Sequence, residues 1–371
     1  MAILSISLLT VMAGAAMAPA LGAIRDHFCK CSQMTVQLIV SLPAFFIIVT
    51  TFLFRPLCRL FKTRTMTLVG LCMYLIAGAG AFFVDDIAWL LVLRALLGVS
   101  VGIIMPLSTG LLSYYYPADE QSHMMGLSAA MNQVGGVVAT LLAGLLVARG
   151  WNYAFLVYLL GLFAIVLVAC KLPNDSLSTD GEKVRLRNLL RFHPSVTAML
   201  FIMILFFVYP TNFALTAHEV GLSTIATTLI MVGLDLVAFA VGLAFGCLMK
   251  TCRKQMKYMA PVLFLAGYAS LSFVPEMGGM LAGSALIGLA NGTGVPYVNT
   301  IASIKGGRNA ALTVMPLISA ALYLGQFISP IIVTPLATHL GCTPYHIAMG
   351  LSLLFLVQVF ITRKHHALPP Q

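Results

Sequence analysis

The chain has 371 residues, of which 60% are hydrophobic and 9% are charged, and its mean hydropathy is +0.99. A soluble domain carries about 25% charged residues, so a chain this poor in charge cannot cover a water-facing surface and needs lipid around it. The length leaves room for about twelve membrane spans of roughly 20 residues and excludes a soluble catalytic domain. The net charge of +10 is typical of basic loops beside a membrane and does not indicate nucleic-acid binding.

Twelve apolar runs follow one another along the chain. Each is predicted to be a membrane-spanning helix, because lipid offers backbone groups no other partners. We number them spans 1 to 12, and they cover residues 2–24, 33–54, 66–84, 87–112, 123–148, 151–171, 195–216, 223–248, 257–274, 278–302, 310–335 and 343–362. They do not alternate with period two, which excludes the strands of a membrane barrel. The sequence therefore predicts an all-α membrane protein.

The positions of Lys and Arg predict the orientation. With a cytoplasmic N-terminus, seventeen of the 21 basic residues fall in cytoplasmic loops, whereas Arg25, Lys30 and Arg149 fall on the other side and Arg94 lies inside span 4. This bias predicts a multi-pass inner-membrane protein with both termini cytoplasmic. The predicted units are a bundle at 1–171, a cytoplasmic linker at 172–194, a second bundle at 195–362 and a tail at 363–371.

The two halves of the chain repeat one another at a nearly constant shift of about 190 residues. The matched pairs include Pro19 and Pro210, His27 and His218, Gly98 and Gly288, Gly102 and Gly292, Pro106 and Pro296, and Gly150 and Gly341. Parallel halves of this kind describe one large class of transporters, in which substrate binds near the middle of the membrane. We therefore expect two pseudo-symmetric six-helix bundles with a site between them.

Motifs in spans 4 to 6 resemble those of a known family. Arg94, Gly98 and Gly102 match an Arg followed by spaced glycines on a fourth helix, and residues 150–155 match a Gly-Trp-Arg-x-x-Phe turn. On these residues the chain resembles the major facilitator superfamily, and more narrowly its drug–proton antiporter branch. The resemblance implies the major facilitator fold and alternating-access transport of a small molecule. It also implies a monomer without a cofactor, driven by a proton gradient.

One loop departs from the family pattern. Between the second and third helices the family normally reads Gly-x-Leu-x-Asp-Arg-x-Gly-Arg, and this loop helps to lock the cytoplasmic gate. In this chain Arg55 and Lys62 stand in place of the two glycines, and Arg59 stands in place of the Asp. Gating by this loop is therefore an open question.

Two charges lie deep inside apolar runs, Arg94 in span 4 and Asp235 in span 8. A charge at the centre of a span costs about 2.5–3.5 kcal/mol to insert, so each is expected to face a cavity or a partner. Asp235 is a candidate proton carrier or counter-ion for a cationic substrate; the alternative is a structural pair. For Arg94 the resemblance implies proton transfer or anion binding, and the alternative is an Arg that packs helices by binding backbone carbonyls.

Polar residues inside other spans form a second set of candidates for the substrate cavity. They are Asn132, Gln133, Tyr209, Asn212, Asn291, Tyr297, Asn299, Tyr323 and Gln326. For each of them a hydrogen bond between helices is the alternative reading. The sequence contains no phosphate-binding loop, metal-ligand cluster or nucleophile motif, so we predict no metal site and no enzyme.

These observations leave three hypotheses. The first is proton-coupled export of small amphipathic or drug-like compounds, which the family resemblance and the two buried charges favour. The second is uptake of an organic anion or nutrient, with Arg94 as the anion anchor. The third is a receptor or scaffold that does not transport, for which the altered loop at Arg55–Lys62 leaves room.

Overall fold

The computed structural model describes residues 2–115, 118–173, 192–252, 255–274, 276–306 and 314–362. These residues form thirteen α-helices and two 3-10 helices, and no strand occurs among them. The predicted linker, apart from its two ends, and the predicted tail lie outside the described residues, as do the side chains of Arg55 and Arg59.

Each predicted span corresponds to one helix or to a pair of short ones. Spans 1 to 6 are α1 (Ala2–Ala15) with α2 (Leu21–His27), α3 (Gln33–Leu60), α4 (Thr63–Ala79) with a short 3-10 helix (Gly80–Phe83), α5 (Ile87–Tyr115), α6 (Ala118–Val147), and a 3-10 helix (Trp151–Leu160) with α7 (Gly161–Lys171). Spans 7 to 12 are α8 (His193–Glu219), α9 (Thr224–Thr251), α10 (Met256–Phe273), α11 (Met277–Gly306), α12 (Met315–Leu340) and α13 (Pro344–Ile361). Within the described residues, eight of these segments are long and apolar enough to cross a membrane.

By its contacts the chain forms two compact units. The first comprises Met1–Asp180 and Phe213–Leu229, and the second comprises Gly181–Asn212 and Ile230–Gln371. The end of α8 and the start of α9 thus belong with the first unit. In that unit His218, at the end of α8, lies with its Nε2 3.1 Å from an Asp26 carboxylate oxygen, and both side chains are more than half exposed.

Span 1 is not the single helix that its hydropathy predicts. The helix stops at Ala15 and resumes at Leu21, and residues 16–20 form turns around Pro19. Proline lacks an N–H and clashes with the carbonyl four residues before it, so a break here has a local cause. Hydrogen bonds to the residue three positions earlier replace the helical ladder, as in the bond from the Ala20 N–H to the Met17 carbonyl at 3.1 Å.

The repeat-related proline does not break its helix, and side chains next to it bind backbone carbonyls. Pro210 lies inside the continuous helix α8. The Thr211 hydroxyl donates to the Phe207 carbonyl at 2.6 Å, and the Asn212 amide donates to the Val208 carbonyl at 2.9 Å. The residues beside Pro19 are alanines, which carry no such donor. The two copies of the repeat therefore differ at this point both in backbone conformation and in the side chains beside the proline.

Glycines at matched positions allow close helix contact in each unit. A Cβ added to Gly98 of α5 would lie against the Pro43 carbonyl of α3, and one added to Gly102 would lie 2.6 Å from Thr50 Cβ. In the second unit, a Cβ added to Gly292 of α11 would lie 2.7 Å from the Ala238 carbonyl oxygen of α9. A real Cβ would not fit at any of these positions, so the glycines fix the spacing between the helices.

The turn glycines of the repeat also match. Gly150, after α6, has a φ of 152°, and Gly341, after α12, has a φ of 63°. Side chains rarely adopt this region of φ, so both turns require glycine. The shift of about 190 residues thus joins two turn positions that both have a positive φ, although in different conformations.

We expect Gly98→Ala to lower the unfolding temperature in detergent, because the added methyl group overpacks a helix contact, at a cost of about 1–3 kcal/mol. The matched control is Gly242→Ala in α9, where an added Cβ meets no atom within 4 Å. This control should leave the unfolding temperature unchanged or raise it, since alanine favours helix. Equal shifts for the two variants would contradict the close contact of α5 with α3.

Candidate functional site

The first unit contains a buried arginine surrounded by aromatic rings. Arg94 of α5 has no exposed surface. Its Nη1 donates to the Tyr158 hydroxyl at 2.9 Å, and its Cζ lies 5.0 Å from the ring centroids of both Phe155 and Tyr158. Contacts of a guanidinium with aromatic faces contribute about 0.5–2 kcal/mol when desolvated. The rings therefore offset part of the cost of burying this charge.

The helix type of residues 151–160 explains why both rings face Arg94. This segment is a 3-10 helix, in which residues three apart lie directly above one another. Phe155 and Tyr158 therefore share one face. Gly161 continues that face and allows close approach of Tyr74, whose Cδ1 would lie 3.2 Å from an added Cβ. An α-helix would have turned the two aromatic residues further apart around the axis.

Tyr158 connects Arg94 to the break in span 1. Its hydroxyl donates to the Ala13 carbonyl at 3.0 Å, near the end of α1. Tyr74 of α4 packs edge-on against Tyr158, with ring centroids 5.5 Å apart, and donates to the Leu9 carbonyl at 3.3 Å. Two buried tyrosines thus bind successive turns of the same helix.

Two of the three guanidinium nitrogens of Arg94 remain without a protein partner. Among the residues that the structure describes, Nε and Nη2 of Arg94 have no hydrogen-bond partner. Two ion pairs occur among the described residues, His27 with Asp85 and His218 with Asp26, and neither includes Arg94. An unsatisfied buried donor costs about 1–3 kcal/mol, and more when it is charged. The N–H groups of Nε and Nη2 can therefore donate two parallel hydrogen bonds to the oxygens of an anion.

The second unit has a different polar centre at the related position. Ser284 stands where Arg94 stands in the first half, and its Oγ lies 2.7 Å from the Tyr209 hydroxyl. Asp235 is half-buried in α9 and lies close enough to Tyr209 to interact with it electrostatically. Two sequence-predicted residues, Asp235 and Tyr209, thus lie within electrostatic range of one another.

A tyrosine pair also recurs in the second unit. Tyr268 of α10 donates to the Leu205 carbonyl of α8 and stacks on Tyr345 of α13 at a centroid distance of 6.0 Å. This arrangement repeats that of Tyr74 and Tyr158 in the first unit. None of these four tyrosines was predicted from the sequence. The repeat could have indicated them. Tyr74 pairs with Tyr268, and Tyr158 with Tyr345, at a separation close to the repeat shift of about 190 residues.

The remaining predicted cavity residues lie in both units and have different surroundings within them. Asn132 accepts a hydrogen bond from Thr10 at 3.0 Å and Gln133 is exposed, whereas Asn212 binds the backbone beside Pro210. Tyr297 packs in an apolar cluster with Met256 and Ile301. The others are half-buried: Asn291, Asn299, Tyr323 and Gln326. Among the described residues, Asn291 Oδ1 has no hydrogen-bond partner, and Gln326 Nε2 lies 3.9 Å from Met203 Sδ.

The altered loop is described only in part. Lys62 is exposed just before α4, and the Arg64 guanidinium donates to the Ala169 carbonyl of α7. Within the described residues, no three His, Cys, Asp or Glu side chains are arranged to hold a metal ion.

The helical arrangement can now be compared with known proteins. The family model described as Major Facilitator Superfamily matches residues 3–330. The chain belongs to this superfamily. Its members are transporters and not enzymes, so the predicted class of protein and the predicted fold are confirmed. The solved structure of a D-xylose–proton symporter has a TM-score of 0.74 over 96% of each chain at 14% identity, a likeness that concerns the fold alone.

Two relatives match shorter stretches. The chain is 28% identical to the niacin transporter of Acinetobacter baylyi over 116 residues, which cover 31% of this chain and 26% of that protein. It is 33% identical to a probable chloroplastic anion transporter of Arabidopsis thaliana over 86 residues, which cover 23% of this chain and 16% of that protein. The matches thus span about a quarter or less of these relatives.

We expect Tyr209 and Ser284 to be energetically coupled. In a double-mutant cycle with Tyr209→Phe and Ser284→Ala, the coupling free energy of unfolding should be about 0.6 kcal/mol, as is usual for hydrogen bonds between membrane helices. The control cycle pairs Tyr209→Phe with Ser352→Ala, because Ser352 binds the Ala348 carbonyl of its own helix. Additive effects in the first cycle would contradict the hydrogen bond.

Proposed function

We propose that this major facilitator protein transports a small organic anion, and that the carboxylate of its substrate binds the Nε–Nη2 edge of Arg94. The observation that carries this proposal is the buried guanidinium with two unpartnered nitrogens. A carboxylate matches that edge with two parallel hydrogen bonds, and charge-assisted pairs of this kind are about twice as strong as neutral ones.

The charge of Arg94 favours an anion over other substrates. Arginine stays protonated at any physiological pH, so its site repels cations and gives neutral molecules no ionic contact. Phe155 and Tyr158 already cover part of the guanidinium, which keeps water away and strengthens a remaining ionic contact. Since Arg94 has no exposed surface in this conformation, a substrate reaches it only after the residues that cover it move.

The relatives support the same class of substrate. One is named a niacin transporter and another a probable anion transporter. Niacin is an aromatic monocarboxylate, which suits a cationic site with aromatic walls. We therefore choose aromatic monocarboxylates as the first compounds to test.

Asp235 supports a second element of the proposal, namely coupling to protons. Asp235 is a half-buried carboxylate inside an apolar span and within electrostatic range of Tyr209. Ionisable residues inside spans commonly serve as proton relays. Co-transport of one proton neutralises a monovalent anion, so inward symport avoids work against a negative interior. Proton-coupled export of drug-like compounds, our first hypothesis from the sequence, rests on the same Asp235 and is the second candidate.

The polar residues named from the sequence complete the proposal. We infer that several of the half-buried ones, such as Asn291 and Gln326, contact substrate during the transport cycle.

We place the protein in a bacterial inner membrane with both termini cytoplasmic, in keeping with the distribution of Lys and Arg. The drug–proton antiporter branch stays a prediction.

The first test is equilibrium binding of nicotinate and of nicotinamide, its neutral isostere, to purified protein. We expect nicotinate to bind at least about tenfold more tightly, since a hydrogen bond to a charged group contributes about 1.5–3 kcal/mol. Arg94→Gln should abolish this preference, and Arg94→Lys should weaken nicotinate binding because lysine lacks the bidentate edge.

The matched control is Arg64→Gln, which removes another guanidinium of the first unit that binds a backbone carbonyl. It should bind nicotinate as the wild type does. Unfolding temperatures for all variants separate a lost site from a lost fold. Equal affinity for nicotinate and nicotinamide, or normal nicotinate binding by Arg94→Gln, would overturn the proposal.

The second test concerns Asp235 in proteoliposomes. We expect Asp235→Asn to lose accumulation driven by a pH gradient but to keep counterflow exchange, because exchange needs no net proton movement. Asp86→Asn is the control, since Asp86 is exposed and accepts a hydrogen bond from the Ala88 N–H.

The sign of the gradient separates the two candidates. Nicotinate accumulation in vesicles with an alkaline interior indicates symport, whereas accumulation of lipophilic cations in vesicles with an acidic interior indicates antiport. Normal gradient-driven accumulation by Asp235→Asn would remove Asp235 from the mechanism.

A further inference from the structure

The hydroxyl of Tyr158 is the only recorded link between Arg94 and the backbone of span 1 in the described residues. We propose that Tyr158 is a positioning residue that couples anion binding at Arg94 to the break at residues 16–20. This inference rests on the proposed function, because it assigns a consequence to occupancy of Arg94. It concerns one bundle only, since all of its parts belong to the first unit.

The direction of the two hydrogen bonds follows from their chemistry. A guanidinium has donors only, so the Tyr158 oxygen must accept from Arg94 Nη1. The single hydroxyl proton is then left for the Ala13 carbonyl, 3.0 Å away. Tyr158 therefore completes both bonds only while Arg94 and Ala13 keep their present positions.

The bond from Tyr158 also selects the edge that Arg94 presents. Because Nη1 is bound, the nitrogens that remain for a ligand are Nε and Nη2. A guanidinium that turned freely could offer other pairs of donors. Removal of the hydroxyl should therefore weaken carboxylate binding even though the charge of Arg94 remains.

The other end of the link is the part of span 1 with fewest helical hydrogen bonds. In an uninterrupted helix the Ala13 carbonyl would accept the Met17 N–H. The segment from Ala16 to Ala20 instead has turns around Pro19, and the Tyr158 hydroxyl binds Ala13. When a ligand draws Arg94 toward itself, the bond at Tyr158 changes, and the Ala13 carbonyl in the last turn of α1 loses or shifts its partner.

Tyr74 supplies a matched comparison. It is buried, packs against Tyr158 and donates to the Leu9 carbonyl of the same helix, one turn before Ala13. Its hydroxyl has no recorded hydrogen bond to Arg94 among the described residues. Tyr74→Phe therefore removes a similar buried hydroxyl without touching the link.

The experiment measures amide hydrogen exchange of the segment from Ala13 to Leu21 in the full chain, in nanodiscs without ligand. We expect exchange about fivefold faster in Tyr158→Phe, as the loss of one hydrogen bond predicts, and unchanged exchange in Tyr74→Phe. The affinity for nicotinate should fall about tenfold in Tyr158→Phe and stay within about twofold of the wild type in Tyr74→Phe. Identical behaviour of the two variants in both measurements would overturn the inference.

A second test uses only the wild-type protein, so its result cannot be confused with misfolding of a variant. Nicotinate should change exchange across residues 16–20, and nicotinamide at the same concentration should not. If nicotinate binds and exchange across this segment stays the same, the coupling is wrong while the proposed function stands. If nicotinate does not bind, the proposed function fails. If hydrogen exchange is also equal in ligand-free Tyr158→Phe and Tyr74→Phe, the proposed link through Tyr158 fails as well.

Discussion

Inside a bilayer no water is available to bind a backbone carbonyl that a helix leaves unpaired, and this constraint governs the first bundle. Pro19 interrupts span 1, and the carbonyl of Ala13 takes the hydroxyl of Tyr158 as its partner. The same hydroxyl accepts from Arg94, so the break in the helix and the buried charge depend on one side chain. A lost Tyr158 hydroxyl would leave both a carbonyl and a guanidinium nitrogen unsatisfied in an apolar interior.

The two halves share a scaffold and differ in their polar centres. Each uses glycines to bring neighbouring helices together and a tyrosine to bind a carbonyl of its first helix. On that scaffold the first half carries the cationic Arg94. The second carries Ser284 at the related position, bonded to Tyr209, and Asp235 lies within electrostatic range of Tyr209. This difference is the basis of our proposal that one half binds an anion while the other exchanges a proton.

Much of this architecture could be predicted from the sequence. Each of the twelve apolar runs predicted from hydropathy corresponds to one helix or a pair of helices among the described residues, since lipid restricts the choice to helices. The repeat shift also identified glycines that make close helix contacts or have positive φ angles. The break at residues 16–20 could not be predicted, because Pro210 in a similar apolar run leaves α8 intact. Thr211 and Asn212 bind carbonyls of α8 beside Pro210, whereas the alanines beside Pro19 carry no such donor. Arg94 was recognisable as a buried charge. Its partner Tyr158 is 64 positions away and faces it because residues 151–160 form a 3-10 helix.

The central claim is that the free edge of Arg94 receives the carboxylate of the substrate. A structure of the protein bound to 4-iodobenzoate, with the iodine located by anomalous scattering, tests it most directly. The account predicts carboxylate oxygens within hydrogen-bond distance of Arg94 Nε and Nη2. A bound molecule with its carboxylate elsewhere, while both nitrogens keep no partner, would contradict the account.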